Sequence, residues 1–327
     1  MAFKAVVVAH SCLHYPPALD TLRQAGVQLV PHAEGVHATE DDLVRLVPGV
    51  HALVVGAHPV TARVLDAGTT LRVVVKAGVG VDNIDIPAAT ARGVMVASTP
   101  GTNADAVADY TWGLLIAASR GIVESDRLVR VGQWSRQIGG GVWGKTLGIV
   151  GLGTIGRRVA LRARGFEMRV IACDVMPDHG WAAAHSVTFV PLERVLAEAD
   201  FVTVHVPRME GTTGLIGERE LRLMQPTAFL VNTSRGGVID EAALFRALRE
   251  GWIAGAALDV FEEEPLPDSS PLRAAPRIIL SPHNAGFSVE AVERTAREAV
   301  EAMLAALRGE RPRGVWNPEV LERSRAR

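Results

Sequence analysis

The sequence predicts an α/β protein built on parallel sheets around more than one core. Three observations predict it. Strand-like and helix-like runs alternate along most of the chain, the pattern of parallel strands joined by crossover helices. The chain has 327 residues, more than one ordinary core serves, so two domains are expected. A glycine-rich stretch, Gly151-Leu152-Gly153-Thr154-Ile155-Gly156, separates a strand-like run from a helix-like one near the middle of the chain.

The elements follow in order. Phe3 to Ala9 is apolar and β-rich and reads as a first strand. Pro17 to Ala25 reads as a helix with Gly26 as its stop. Leu53 to Val55, Val73 to Lys76 and Val94 to Ala97 are further strands, and Thr99-Pro100-Gly101 breaks the series. Asn103 to Arg120 is alanine-rich with apolar residues at helical spacing, and Asn103 is its expected cap. Gly139-Gly140-Gly141 is a flexible break. From Thr146 to about Ser281 a second series follows, with strands at Phe201 to Val206, Ala228 to Asn232, Ala254 to Asp259 and Ile278 to Leu280. Asp240 caps a helix that Gly251 stops, and Glu290 to Leu307 is a last long helix.

The glycine stretch carries the first chemistry. Thr146 to Val150 is the strand before it, Thr154 to Arg164 the helix after it, and Asp174 closes the next strand, Met168 to Cys173. The first glycine permits a tight turn, the second lets backbone approach a pyrophosphate, and the third lets helix and strand pack closely. The helix N-terminus offers free N–H groups and partial positive charge to the phosphates. A carboxylate at Asp174 suits a ribose 2′-OH, which favours NAD over NADP.

Composition narrows the partners. Hydrophobic content of 48% and charged content of 21% are globular values. A net charge of −2 makes no electrostatic case for nucleic acid or an anionic membrane. The ending Arg323-Ser324-Arg325-Ala326-Arg327 is a short basic tail, read as solvated. The two cysteines, Cys12 and Cys173, lack CxxC spacing and are expected to be reduced and structural, as in a cytoplasm. The N-terminus reads as a strand and not a signal peptide, and no run is long enough to span a bilayer. No metal-ligand cluster is predicted.

Ligands of open α/β sheets gather at the carboxyl ends of strands. Three strand ends of the second series deliver Thr233-Ser234-Arg235-Gly236-Gly237, the segment Asp259 to Pro265, and Ser281-Pro282-His283-Asn284-Ala285-Gly286. An arginine, a carboxylate cluster and a histidine thus meet one edge. That set suits a 2-hydroxy acid. The guanidinium clamps a carboxylate and polarises the neighbouring carbonyl. The imidazole exchanges the hydroxyl proton, and a carboxylate beside it orients the ring. Singly, each residue reads as an ordinary surface partner or loop charge; together, behind a dinucleotide fingerprint, they read as a site.

These residues resemble the D-isomer-specific 2-hydroxyacid dehydrogenases, the group that includes phosphoglycerate dehydrogenase. The resemblance covers essentially the whole chain through VVVKAGVGVDNID (73–85), GKTLGIVGLGTIG (144–156), NTSRGGVIDEAAL (232–244), AGAALDVFEEEP (254–265), SPHNAG (281–286) and Trp316-Asn317-Pro318-Glu319-Val320. It implies a Rossmann doubly wound cofactor domain, 102–285, inserted into a smaller flavodoxin-like α/β substrate domain, 1–101 with 286–327. It implies that Arg235, Glu264 and His283 are catalytic, with Glu262 and Glu263 as loop charges. Lys76, Gly78, Val79 and Gly80 look like a substrate-binding segment with Arg235 and His283. Gly151, Gly153, Thr154, Ile155, Gly156, Asp174, Val206, Pro207, Thr233, Ser234, Asp259, Ala285 and Gly286 look like NAD contacts, again with Arg235 and His283. A homodimer is implied by the resemblance alone, supported around the helix that begins near Asn103.

The substrate is less determined. Phosphoglycerate enzymes of the family carry an arginine after the strand matching Leu53 to Val55, where this chain has Gly56-Ala57-His58. Lys76 or His58 is a partial substitute. The chain also ends soon after the shared motifs, without the regulatory domain of some phosphoglycerate enzymes. The expectation is therefore a glyoxylate, hydroxypyruvate or general 2-keto acid reductase ahead of a phosphoglycerate enzyme. Two other readings share the fold and the trio: an NAD-sensing corepressor-type protein and a phosphite dehydrogenase. Formate enzymes have a glutamine where Glu264 stands.

Overall fold

A computed structural model describes residues 2–33 and 35–321, so the basic tail at 323–327 lies outside the described residues. The chain divides into two compact units, one holding residues up to Asn103 together with those from Phe287 on, the other Ala104–Gly286.

The first unit carries a five-stranded sheet. Its strands are β1 (Lys4–Val7), β2 (Gln28–Leu29), β3 (Ala52–Val55), β4 (Val73–Lys76) and β5 (Met95–Ser98). They pair in parallel in the order β2-β1-β3-β4-β5, the flavodoxin-like arrangement. The central strands are near-continuous apolar runs, Ala-Leu-Val-Val in β3 and Val-Val-Val before Lys76 in β4, because both faces are covered. One face packs Val7, Val54 and Val75 against Ala299, Val300 and Met303 of the helix Val289–Leu307. The other packs Val6, Leu53 and Val74 against Leu43, Val64 and Leu65.

The second unit carries a seven-stranded sheet. Its strands are β6 (Thr146–Val150), β7 (Arg169–Cys173), β8 (Val187–Phe189), β9 (Phe201–Val204), β10 (Phe229–Asn232), β11 (Gly255–Leu258) and β12 (Ile278–Leu280). The order is β12-β11-β10-β9-β6-β7-β8, every pair parallel. Strand order reverses at β6, which lies between β7 and β9; that is the switch point of a doubly wound sheet, where a dinucleotide crevice forms. One face buries Leu147, Ile149 and Val231 with Ala108, Trp112 and Leu115 of the helix Ala104–Arg120. The other buries Val202, Leu230 and Ala256.

Local signals hold where side chains close them. Asp240 accepts the Ala243 N–H at 2.8 Å, and Gly251 ends that helix at φ 76°. One expectation is corrected. The helix after Asn103 begins at Ala104, but the buried Oδ1 of Asn103 has no hydrogen-bond partner, so Asn103 does not cap it. Strand β8 and several short helices carry too few residues for their periodicity to stand out in sequence.

Gly148, inside β6, shows how closely the layers pack. A Cβ there would lie 2.7 Å from Val195 Cγ1 and 2.8 Å from Ala199 Cβ, so the helix Leu192–Glu198 rests directly on the strand. Gly148→Ala is expected to destabilise this unit by about 1–3 kcal/mol through overpacking, read as a lowered midpoint in denaturant titration. An unchanged midpoint would show that the helix moves away at no cost.

Candidate active site

The cofactor cradle is built from glycines at the end of β6. Gly151 adopts φ 93°, and its N–H donates to Cys173 O at 2.9 Å. A Cβ on Gly156 would stand 2.2 Å from Gly151 O, so the third glycine is what lets the helix Thr154–Ala163 close onto the turn. A Cβ on Gly153 would meet nothing within 4 Å. That open space, at a helix N-terminus with no side-chain cap, fits an incoming pyrophosphate. Asp174, at the end of β7, accepts the Leu152 N–H at 2.7 Å and the Met176 N–H at 2.9 Å. The ribose carboxylate of the fingerprint is thus tied to the glycine turn itself. Val206 stands beside the same turn, its Cγ1 only 2.8 Å from where a Gly151 Cβ would be.

The three predicted catalytic residues come from the ends of β10, β11 and β12, and the structure brings their loops together. His283 Nδ1 lies 2.7 Å from Glu264 Oε2. The other carboxylate oxygen, Oε1, accepts the Phe261 N–H at 3.0 Å. Burial is the largest influence on Glu264 and opposes its charge. The His283 hydrogen bond and charge, the Phe261 N–H and the Arg235 charge outweigh it together and hold the carboxyl below the usual range. Against an ionised carboxylate, Nδ1 must carry the proton, which leaves Nε2 as the outward nitrogen. The Arg235 segment packs on this pair's loop: a Cβ on Gly236 would sit 1.7 Å from Phe261 O. Glu262 is used locally, its N–H donating to Glu241 Oε1 at 2.6 Å.

His283 has φ 51°, left-handed for a residue with a Cβ, a conformation that costs of order 1–3 kcal/mol and persists only where surroundings over-determine it. Asp259 supplies the surroundings. Its carbonyl accepts the His283 N–H at 2.8 Å, and its carboxylate accepts the N–H groups of Asn284 and Ala285, each at 2.8 Å, and the Ser281 hydroxyl. Asp259 is fully buried. Burial pushes its carboxyl up, and the Ser281, Asn284 and Ala285 hydrogen bonds and the His283 charge pull the other way. Sequence reasoning named Asp259 as a cofactor contact; its carboxylate here grips the histidine loop. Reasoning from sequence assigned no role to Ser281 and Asn232, although each opens a quoted motif, because their partners are backbone and side-chain groups that only the fold brings near.

Pro207 follows Val206 and accepts the Thr212 hydroxyl at 2.6 Å. Thr233 pairs its hydroxyl with that of Thr111 at 2.8 Å, and Ser234 donates to Asn232 Oδ1. The predicted substrate residues Lys76, Gly78, Val79 and Gly80 belong to the first unit. There the Lys76 ammonium donates to Gly56 O at 2.7 Å and Asn83 Oδ1 at 2.9 Å. Gly78 has φ 153°, and its N–H donates to Thr99 Oγ1 at 2.9 Å. His58 is buried, with Nδ1 accepting the Gly56 N–H at 3.2 Å.

Both cysteines are free thiols. Burial pushes Cys12 up to about 12, and burial with the Asp174 charge pushes Cys173 up to about 11. Raised values mean less thiolate, the nucleophilic form. Alkylation by iodoacetamide at about pH 8 should therefore be slow in the folded protein and fast after denaturation. Equal rates would refute the burial of these thiols.

Several known proteins are similar to this chain. The family model described as D-isomer specific 2-hydroxyacid dehydrogenase, NAD binding domain, matches residues 112–285. A glyoxylate reductase from Korarchaeum cryptofilum is 47% identical over 270 residues, 81% of this chain and 81% of that protein. A D-3-phosphoglycerate dehydrogenase from Archaeoglobus fulgidus is 40% identical over 277 residues, 84% of this chain and 52% of that one. A crystal structure of a protein from Thermus thermophilus superposes with a TM-score of 0.88 at 36% identity, covering 96% of this chain and all of that one.

Proposed function

This chain belongs to the D-isomer specific 2-hydroxyacid dehydrogenase family, and on that premise we propose that Arg235, Glu264 and His283 are its working side chains, acting on glyoxylate or hydroxypyruvate and the matching 2-hydroxy acids. It is an NAD-dependent oxidoreductase acting on CH–OH groups. The observation that carries the residue assignment is the 2.7 Å bond between His283 Nδ1 and Glu264 Oε2 on the edge that also presents Arg235.

The residues fit NAD: the glycine turn leaves room at Gly153, and Asp174 stands at the end of β7. Gly151, Gly153, Thr154, Ile155, Gly156 and Asp174 would hold the adenosine and pyrophosphate. Val206, Pro207, Thr233, Ser234, Asp259, Ala285 and Gly286 would complete the binding. When bound, the nicotinamide supplies or accepts the hydride at the substrate C2. Arg235 holds the substrate carboxylate and polarises the neighbouring carbonyl. The backbone at Gly78, Val79 and Gly80 would bind substrate, as the family resemblance implies. His283 Nε2 gives its proton to the carbonyl oxygen during reduction and takes it back during oxidation. Glu264 accepts the Nδ1–H and orients the ring.

The choice of an unphosphorylated substrate rests on the end of β3. Lys76 and His58 are the nearby substitutes for a phosphate-binding arginine, and both are engaged by the Gly56 backbone. Many of the curated relatives at 40% identity or more are glyoxylate reductases. Among the described residues no helix is long and apolar enough to cross a membrane; we place the protein in the cytoplasm on its two free cysteines. We also propose a homodimer through residues 122–143. Ile122, Val123, Val129, Val131, Trp134, Ile138 and Trp143 are all exposed there, more apolar surface than a monomer usually shows in one stretch.

His283→Ala is expected to lower kcat for glyoxylate by about 10²–10⁴ while the NADH Kd, read by nucleotide fluorescence, stays near wild type. Near-normal turnover would reject the assignment. If the purified protein binds NADH yet reduces none of glyoxylate, hydroxypyruvate, pyruvate and 3-phosphohydroxypyruvate, the corepressor-type or phosphite reading replaces this one. Trp134→Arg combined with Ile138→Arg should convert a dimeric mass in light scattering to a monomeric one. A wild-type mass in that variant would move the interface elsewhere.

A further inference from the structure

Arg235 must present its guanidinium in a fixed pose, yet it sits on a loop, three residues beyond the last residue of β10. What fixes it is Asn232. This side chain is 2% exposed and uses both ends of its amide. Nδ2 donates to Arg235 O at 2.9 Å. Oδ1 accepts the Ser234 N–H at 2.9 Å and the Ser234 hydroxyl at 2.7 Å. Ser234 O in turn accepts from Arg235 Nη1 at 2.7 Å. One amide therefore sets the peptide on which the guanidinium itself rests.

Asn232 is rigid in its own right. It pairs with Val204 on one side and Leu258 on the other, and its carbonyl accepts the Asp259 N–H at 2.9 Å. On the far side of Arg235, Gly236 is pressed against Phe261 O with no room for a Cβ. The backbone of Arg235 is held before and after. The arrangement parallels Asp259 one strand over, which grips the His283 loop in the same way.

We propose that Asn232 is a positioning residue for the reaction: its two-ended clamp on Ser234 and Arg235 aims the guanidinium at the substrate carboxylate. The inference rests on the role given to Arg235 above. Only an amide satisfies the site, since it needs an acceptor toward Ser234 and a donor toward Arg235 O. Asn232→Asp keeps shape and acceptor but turns a carboxylate oxygen toward a carbonyl.

The test is a double-mutant cycle on glyoxylate reduction with the full chain, reading kcat and KM separately alongside thermal midpoint. Asn232→Ala and Asn232→Asp should each lower kcat/KM by roughly 30–100-fold, the cost of misplacing a catalytic group by about an ångström, with a raised KM as part of the loss. Arg235→Ala combined with Asn232→Ala should lose no more than Arg235→Ala alone, because both act through one guanidinium. Losses that multiply, or an Asn232→Ala variant with normal kcat/KM beside a crippled Arg235→Ala, would overturn the inference and leave the Arg235 assignment standing. Normal activity in Arg235→Ala would instead overturn that assignment, and this inference with it. If Asn232→Ala does not fold, the isosteric Asn232→Asp carries the same cycle.

Discussion

The second unit depends on one constraint, the in-register parallel pairing of its sheet. Val150 pairs with Val204, Val204 with Asn232, Asn232 with Leu258, and Leu258 with Leu280. Five strands therefore stop at one level, and each continues into a loop on the same edge. Parallel topology forces this, because every crossover must return to the opposite end before the next strand starts. Residues separated by more than a hundred positions reach one small region without any of them being close in sequence.

A shared edge does not by itself produce a usable geometry, because loops move. The structure solves this by burying polar side chains at the strand ends. Asn232 and Asp259 sit on adjacent strands and fold back onto the segments that carry Arg235 and His283. Such groups are costly to bury unless every atom finds a partner, so the loops are drawn into the shape that satisfies them. His283 accepts a left-handed backbone within that shape.

Electrostatics then separates the two carboxylates. Asp259 is buried while Glu264 stays partly open to solvent, and burial works against the charge of each. Glu264 escapes because the His283 bond and charge, the Phe261 N–H and the Arg235 charge favour its ionised form. Asp259 is pushed the other way, since its backbone and hydroxyl donors do not fully offset its burial. One carboxylate faces the histidine ring and the other holds a loop, although the sequence shows them only as two of the four acids from Asp259 to Glu264.

Much of this was legible in the residues alone. The glycine spacing at 151–156 marks a turn that a Cβ at Gly151 or Gly156 would obstruct, and Asp240 with Gly251 delimit a helix through purely local chemistry. Asp174, Arg235 and His283 were identifiable as residue types at strand ends, and the family resemblance singled out Glu264 from its cluster of acids. Asn103 failed as a cap because capping depends on a side-chain rotamer, and its Oδ1 has no partner. The clamps at Asn232, Asp259 and Ser281 were invisible because their partners are backbone groups whose positions exist only after the strands align. Sequence by itself determined the fold class, the cofactor turn and the chemical identities, since these follow from periodicity, glycine spacing and side-chain type. Tertiary structure alone decided the pairing of His283 with Glu264, the seating of Arg235 and the sign of each carboxylate's shift, because these depend on distances and burial across strands far apart in the chain.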